Sequence, residues 1–207
     1  MTYRTYITTG RCRTRTNSKC IYWGDGNSRP FVYKREEKME ALEIKRVKYL
    51  PELREVAELA SEIWHECFEG IISSGQIDYM VEKYQSLQAM CDQIDKCGYS
   101  YYAVKESGEL CGYIGIKPEA DDRLFLSKLY LRSDKRGRGI GSRMLDRVKE
   151  EAKAAGKSRI YLTVNKHNDR AIGAYERYGY KRTDSTVTDI GSGYVMDDYI
   201  YEYSINS

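Results

Sequence analysis

Proline is scarce in this chain, 3 residues in 207, and histidine is scarcer still, at 2. Six cysteines stand at positions 12, 20, 67, 91, 97 and 111, and none forms a C-x-x-C pair. With so few histidines this excludes the usual zinc frameworks, and no metal is expected. No run of 18 apolar residues occurs, so no membrane-spanning helix is expected. Nor does either charge dominate: 34 basic against 31 acidic residues leave a net +3. Such a chain is not built to coat nucleic acid, which is therefore not the expected partner. The first 38 residues lack the apolar core of a secretory signal. The expected setting is the cytoplasm, with reduced thiols serving as small buried hydrophobes.

What is present is uneven. Residues 1–38 hold nine Lys/Arg and three Asp/Glu, and the remainder carries a net −3. The only aliphatic β-branched residues in that stretch are Ile7, Ile21 and Val32, and leucine is absent from it. So little apolar surface does not offset chain entropy, and a disordered basic tail is expected ahead of a domain over 39–207. Lys34-Arg35-Glu36-Glu37-Lys38 can be encoded entirely by purines just before Met39, the layout of a bacterial ribosome-binding site. Translation is accordingly expected to begin at Met39, with the tail as upstream sequence read in frame. The rival is a true tail in which Arg11, Arg13 and Arg15, with Tyr3, Tyr6, Tyr22 and Trp23, contact phosphates and stack on bases. Intact mass of the protein from its own host decides between them.

From Leu42 the texture changes. Leu42–Val47 alternates as a strand. Leu53, Val56, Ala57, Ala60, Ile63, Trp64 and Cys67 then mark one face of a helix opened by Pro51. Ser73–Gly75 breaks the pattern, and Ile77–Tyr84 and Leu87–Ile94 read as one or two short helices ended by Gly98. Tyr99–Lys105 and Leu110–Lys117 flank a Ser107-Gly108 turn as a hairpin, and Leu124–Leu131 is a third strand. An amphipathic helix follows Arg138 and ends near Gly156. Then come a strand over 159–164, a helix over 169–178 and strands over 180–188 and 194–203. The fold class is mixed α/β.

The stretch richest in chemistry is Arg136-Gly137-Arg138-Gly139-Ile140-Gly141, followed by Ser142, between a strand and a helix. Three glycines in five residues make a poor helix start on propensity alone. They make sense where backbone amides approach an anion, because free N–H groups and the helix dipole point the same way. A phosphate or pyrophosphate is implied. A Walker loop is excluded, since no Lys precedes Ser142, and the Rossmann fingerprint fails at its third glycine.

These residues resemble the GCN5-related N-acetyltransferase (GNAT) family, whose loop [QR]-x-x-G-x-[GA] is filled by Arg136, Gly139 and Gly141. Its second motif is filled by Asn168, Ala171, Tyr175 and Tyr178-Gly179-Tyr180. The resemblance covers about residues 42–203 and implies a mainly antiparallel sheet of six or seven strands with about four helices. It implies acetyl-CoA as cosubstrate, with loop amides from Arg136 to Ser142 on the pyrophosphate. The pantetheine arm would lie along Leu129, Tyr130 and Leu131, in a gap where the fourth and fifth strands splay. Tyr175 would be the general acid, since a phenol is protonated at neutral pH. Asn168 is either the N-cap of its helix or a coenzyme contact.

Many members carry a Glu on the fourth strand as base, whereas Leu124–Leu131 offers Ser127 and Lys128 but no carboxylate. Glu66, His65, the Asp197-Asp198 pair or water remain candidates. The implied activity is N-acetylation of a primary amine on a small molecule or peptide, by a monomer or homodimer. Glu62, Glu66, Glu69 and Asp78 in the segment that would roof the acceptor cleft suit a cationic, polyamine-like acceptor. Two alternatives are a nucleic-acid-associated protein acting through its tail and a coenzyme-binding regulatory domain without turnover.

Overall fold

The computed structural model describes residues 42–205. The basic tail and the proposed start at Met39 lie outside them. β1 (Leu42–Arg46) leads into α1 (Leu50–Phe68), where Glu52 accepts the Lys48 amide at 3.0 Å. The face marked by Leu53, Val56, Ala60, Ile63 and Trp64 is buried. α2 (Ser74–Met80) starts inside the stretch expected to break the pattern, because the Ser73 hydroxyl accepts the Gln76 amide and caps it. A single wide turn over 81–85 separates it from α3 (Leu87–Cys97), which Ser86 caps and Gly98 ends at φ +74°. That cap at Ser86 is why five helices form rather than four.

β2 (Ser100–Glu106), β3 (Glu109–Pro118) and β4 (Arg123–Leu131) follow as a meander. Then come α4 (Ile140–Ala154), β5 (Arg159–Asn165), α5 (Asp169–Tyr178), β6 (Lys181–Gly191) and β7 (Tyr194–Ser204). They build one seven-stranded sheet in the order β1-β2-β3-β4-β5-β7-β6. Every neighbouring pair is antiparallel except β4 and β5, which run parallel and pair only at Arg123–Arg159, Leu124–Ile160 and Phe125–Tyr161. Beyond that rung the two strands part.

One face of the sheet packs on α4 through Leu124, Leu126, Leu131, Met144, Leu145 and Val148. The other packs on α1 and α3 through Val56, Ala60, Met90, Tyr101 and Tyr113. β4 switches parity between the two. Gly115 stands opposite Lys128 but Ile116 opposite Leu126, so Ser127 is an extra residue in a bulge. That slip turns Lys128 and Tyr130 toward α1 and α3 while Leu129 and Leu131 keep to the α4 core.

Candidate active site

Where β4 and β5 part, a cavity of about 1150 Å³ opens between them. One end is the glycine-rich turn. Gly137 and Gly139 hold φ of +75° and +82°, a backbone form that costs a side-chain-bearing residue about 1–2 kcal/mol. Gly139 is the N-cap of α4, and no side chain caps that end among the described residues. The first-turn amides from Ile140 to Ser142 therefore point out of the helix without intrahelical partners. Gly137, Gly139, Gly141 and Ser142 line the cavity, as does Arg136. The Arg136 guanidinium folds back, donating to the Leu131 carbonyl at 2.9 Å and the Cys67 sulfur at 2.7 Å. Arg136 thus braces the turn against β4 and α1. Arg138 and Ile140 do not line the cavity. Ile140 is core, and Arg138 is paired with the buried Glu106 at 3.0 Å, which Lys135 also contacts at 3.0 Å. A turn of outward amides with cations nearby fits a pyrophosphate.

Along the walls lie Leu129, Tyr130 and Leu131 of β4, facing Thr163, Val164 and Asn165 of β5. α5 contributes Tyr175, and burial raises the pKa of its phenol to about 12. Asn168 also lines the cavity, and its side chain accepts the Ala171 amide at 3.2 Å, so it caps α5. The acidic pair on β7 divides. Asp197 turns out and pairs with Lys166 at 2.5 Å. Asp198 turns in beside Asn165, is 8% exposed, and its Oδ1 has no hydrogen-bond partner among the described residues. Burial, then the Asp197 charge, raise its pKa from the ordinary 3.8 to about 6.

Comparison with known proteins decides the family. The model of the acetyltransferase (GNAT) family matches residues 57–180, more than half of the chain. The chain belongs to the GNAT family. Membership brings acetyl-CoA-dependent acyl transfer as the family's chemistry. The chain is 36% identical to Bacillus subtilis (strain 168) YdhI over 91 residues, spanning 44% of this chain and about half (52%) of that protein. A protein of Bacillus subtilis subsp. natto named as a probable spermine N(1)-acetyltransferase is 27% identical over 53% of this chain and 76% of its own. Among solved structures, the PaiA N-acetyltransferase of Thermoplasma acidophilum in complex with coenzyme A superposes with a TM-score of 0.68 at 23% identity. That match covers 79% of this chain and 99% of that one. YncA of Salmonella typhimurium, described with its cofactor acetyl-CoA, gives 0.55 at 16% identity over 80% and 95% of the two chains. At those identities the likeness is one of fold.

As a GNAT domain the chain needs an acceptor end to its cleft, and here several candidates separate. His65 bonds Asp78 at 2.8 Å and the Ser61 carbonyl at 2.7 Å on the surface, and does not line the cavity. Glu66 lines it, whereas Glu62, Glu69 and Asp78 do not. Sequence reasoning passed over Lys128, which lines the cavity at 4% exposure. Its ammonium donates to Gln93 Oε1 at 2.9 Å and lies over the rings of Tyr99 and Tyr101. Burial lowers its pKa from 10.5 to about 7. The signal was a slipped alternation. Leucines at 124 and 126, then 129 and 131, announce the bulge that turns residue 128 inward. Among the described residues no group of three His, Cys, Asp or Glu is placed to hold a metal. No described helix is long and apolar enough to cross a membrane.

Proposed function

We propose that the protein moves an acetyl group from acetyl-CoA to a primary amine on a small molecule or peptide. One observation carries the reading. A buried carboxylate, Asp198, with one oxygen unpartnered among the described residues, lines the same cavity as Tyr175 and the amides at the start of α4. Bound along that cavity, acetyl-CoA supplies an activated thioester.

The chain's own groups then divide the work. The first-turn amides of α4 hold the pyrophosphate. Asp198 receives an ammonium and takes its proton in a transfer that is uphill by about four pKa units from an ordinary alkylammonium, so the neutral amine forms transiently and is consumed by attack. At neutral pH a carboxyl of pKa about 6 is mostly ionised, yet far more basic than an exposed aspartate. Tyr175 points a hydrogen bond at the departing sulfur. Full proton transfer from a phenol of pKa about 12 to an ordinary thiolate, of pKa about 8.5, is uphill. Tyr175 therefore stabilises charge as it forms on sulfur, and solvent completes the protonation. The relative named as a spermine acetyltransferase supports including polyamines among the acceptors tested.

The test is thiol release from acetyl-CoA across a panel of primary amines. Release that depends on an amine and falls in Asp198→Asn supports the reading. Coenzyme binding without release for any amine favours a regulatory domain.

A further inference from the structure

Lys128 is the residue least explained by holding the fold together. A buried lysine normally faces a carboxylate, because burying a charge without a counter-charge is costly. This one forms no ion pair among the described residues. Its ammonium has three donors. One reaches Gln93 Oε1 at 2.9 Å and a weaker one Ser127 Oγ at 3.4 Å. Gln93 is itself fixed, since its Oε1 accepts the Tyr101 hydroxyl at 2.5 Å and its amide donates to the Tyr84 carbonyl at 3.1 Å. The fold also clears a path for the lysine stem. A Cβ on Gly115, opposite on β3, would lie 3.0 Å from the Lys128 Cδ. The result is a positioned cation, held by neutral groups, at the wall of the acceptor cavity.

The acids expected to attract a polycation are dispersed. Asp78 is engaged by His65, Glu62 and Glu69 lie outside the cavity, and Glu66, the one of the four that lines it, is exposed to solvent. Of the charged side chains that line the cavity, the buried ones are one acid, Asp198, and one base, Lys128, while Glu66, Asp169 and Arg170 are exposed and Arg136 is half-buried.

We propose that Lys128 binds an anionic group of the acceptor, so that the acceptor is a primary amine bearing a carboxylate or phosphate rather than an all-cationic polyamine. Asp198 receives the amine end and Lys128 the oxyanion end. The inference rests on the acetyltransferase reading above and narrows its acceptor class. An oxyanion in contact would also favour the charged lysine that burial alone disfavours.

The experiment uses full-length protein, acetyl-CoA and four alkylamines of matched length. Their far ends are a methyl, a carboxylate, a phosphate or a second ammonium. The expected result is a kcat/KM about tenfold or more higher for the carboxylate or phosphate amine than for the methyl one, the order of one charge-assisted hydrogen bond. Comparing these two arms identifies which oxyanion fits. In Lys128→Met the ratio of the anionic arm to the methyl arm should fall to about one. The proposal is overturned if the diamine is the best acceptor, or if Lys128→Met lowers every arm by one common factor. Should that variant fail to fold, the wild-type ranking decides alone. If no arm releases thiol and acetyl-CoA leaves the melting temperature unmoved, the acetyltransferase reading falls as well. Turnover confined to the diamine sinks only the acceptor class.

Discussion

Asp198→Asn sets stability against catalysis at a single atom. The wild-type carboxyl titrates at about 6 in the fold against an ordinary 3.8, chiefly because it is buried. The folded state therefore holds that proton more tightly than the unfolded state. The group favours folding below pH 3.8, and the benefit is gone once pH rises past about 6. At neutral pH the buried charge is a net burden. About two pH units at roughly 1.36 kcal/mol each amount to about 3 kcal/mol. Asparagine keeps the shape and removes the charge. Its own polar atoms are left short of partners, which takes back about half, so the net gain should be about 1–2 kcal/mol. For a domain of this size that is a rise of roughly 2–8 °C in Tm at pH 7.5. The gain should shrink as the pH is lowered through 6 and become a loss of about 1–2 kcal/mol near pH 4, where the carboxyl is neutral and only the amide's missing partners remain. Turnover should move the other way, falling about 10²-fold or more with loss of the proton acceptor. In the wild type, kcat/KM should fall on the acid side with an apparent pKa near 6, and the variant should lack that limb. Calorimetry and thiol release on the same preparation give both readings. A lowered Tm with turnover within threefold of wild type would refute both the burial argument and the assignment of the base.

Tyr175→Phe removes a donor and keeps the ring, so kcat should drop roughly 10–10²-fold while the coenzyme Kd stays within a few-fold, measured by calorimetric titration. Saturating acetyl-CoA should raise Tm, since a ligand at 100 times its Kd adds about 2.7 kcal/mol. Gly139→Val, forced to φ +82° at the N-cap of α4, should lower Tm by a few degrees and suppress that ligand-induced rise. Glu106→Gln leaves Lys135 and Arg138 without their buried counter-charge beneath the turn. It should cost roughly 1–3 kcal/mol in urea unfolding and weaken coenzyme binding.

The glycine turn and the α5 motif were readable because their chemistry is local. Positive φ at Gly137 and Gly139 and the Asn168 cap are properties of neighbouring residues, and they appear as short patterns. The long helices were readable for a similar reason: Val56, Ala60, Ile63 and Trp64 repeat with the helix period. What escaped depends on pairing between distant segments. The Asp197-Asp198 pair was visible as a pair. Only the register of β7 against β5, with Asn165 opposite Asp198, says which member turns inward. The acids between 62 and 78 looked alike as sequence. The packing of α2 on α1 takes Asp78 to His65 and leaves Glu66 at the cavity. Lys128 went unread, although the slip in the leucine alternation marks where it turns inward. Its significance needed Gln93, Tyr99 and Tyr101 brought from α3 and β2.

The three-rung contact between β4 and β5 has a consequence for how the sheet guards its open edges. A sheet normally leaves its unpaired edges at its borders, where they recruit foreign strands. Here a second pair of edges is created in the interior, like a seam unpicked from one end, with the rung at residues 123–125 and 159–161 as the last stitch. The seam runs between helices rather than along the molecular border, so another protein's strand has no broadside approach to it. A slender extended molecule with its own amides can enter end-on and be stitched in as a short guest strand. The same tear that creates hydrogen-bonding capacity for a ligand thus conceals that capacity from other chains. Amides flanking it should exchange fast in the empty protein and slow together when the guest is in place, checked by hydrogen exchange with and without acetyl-CoA.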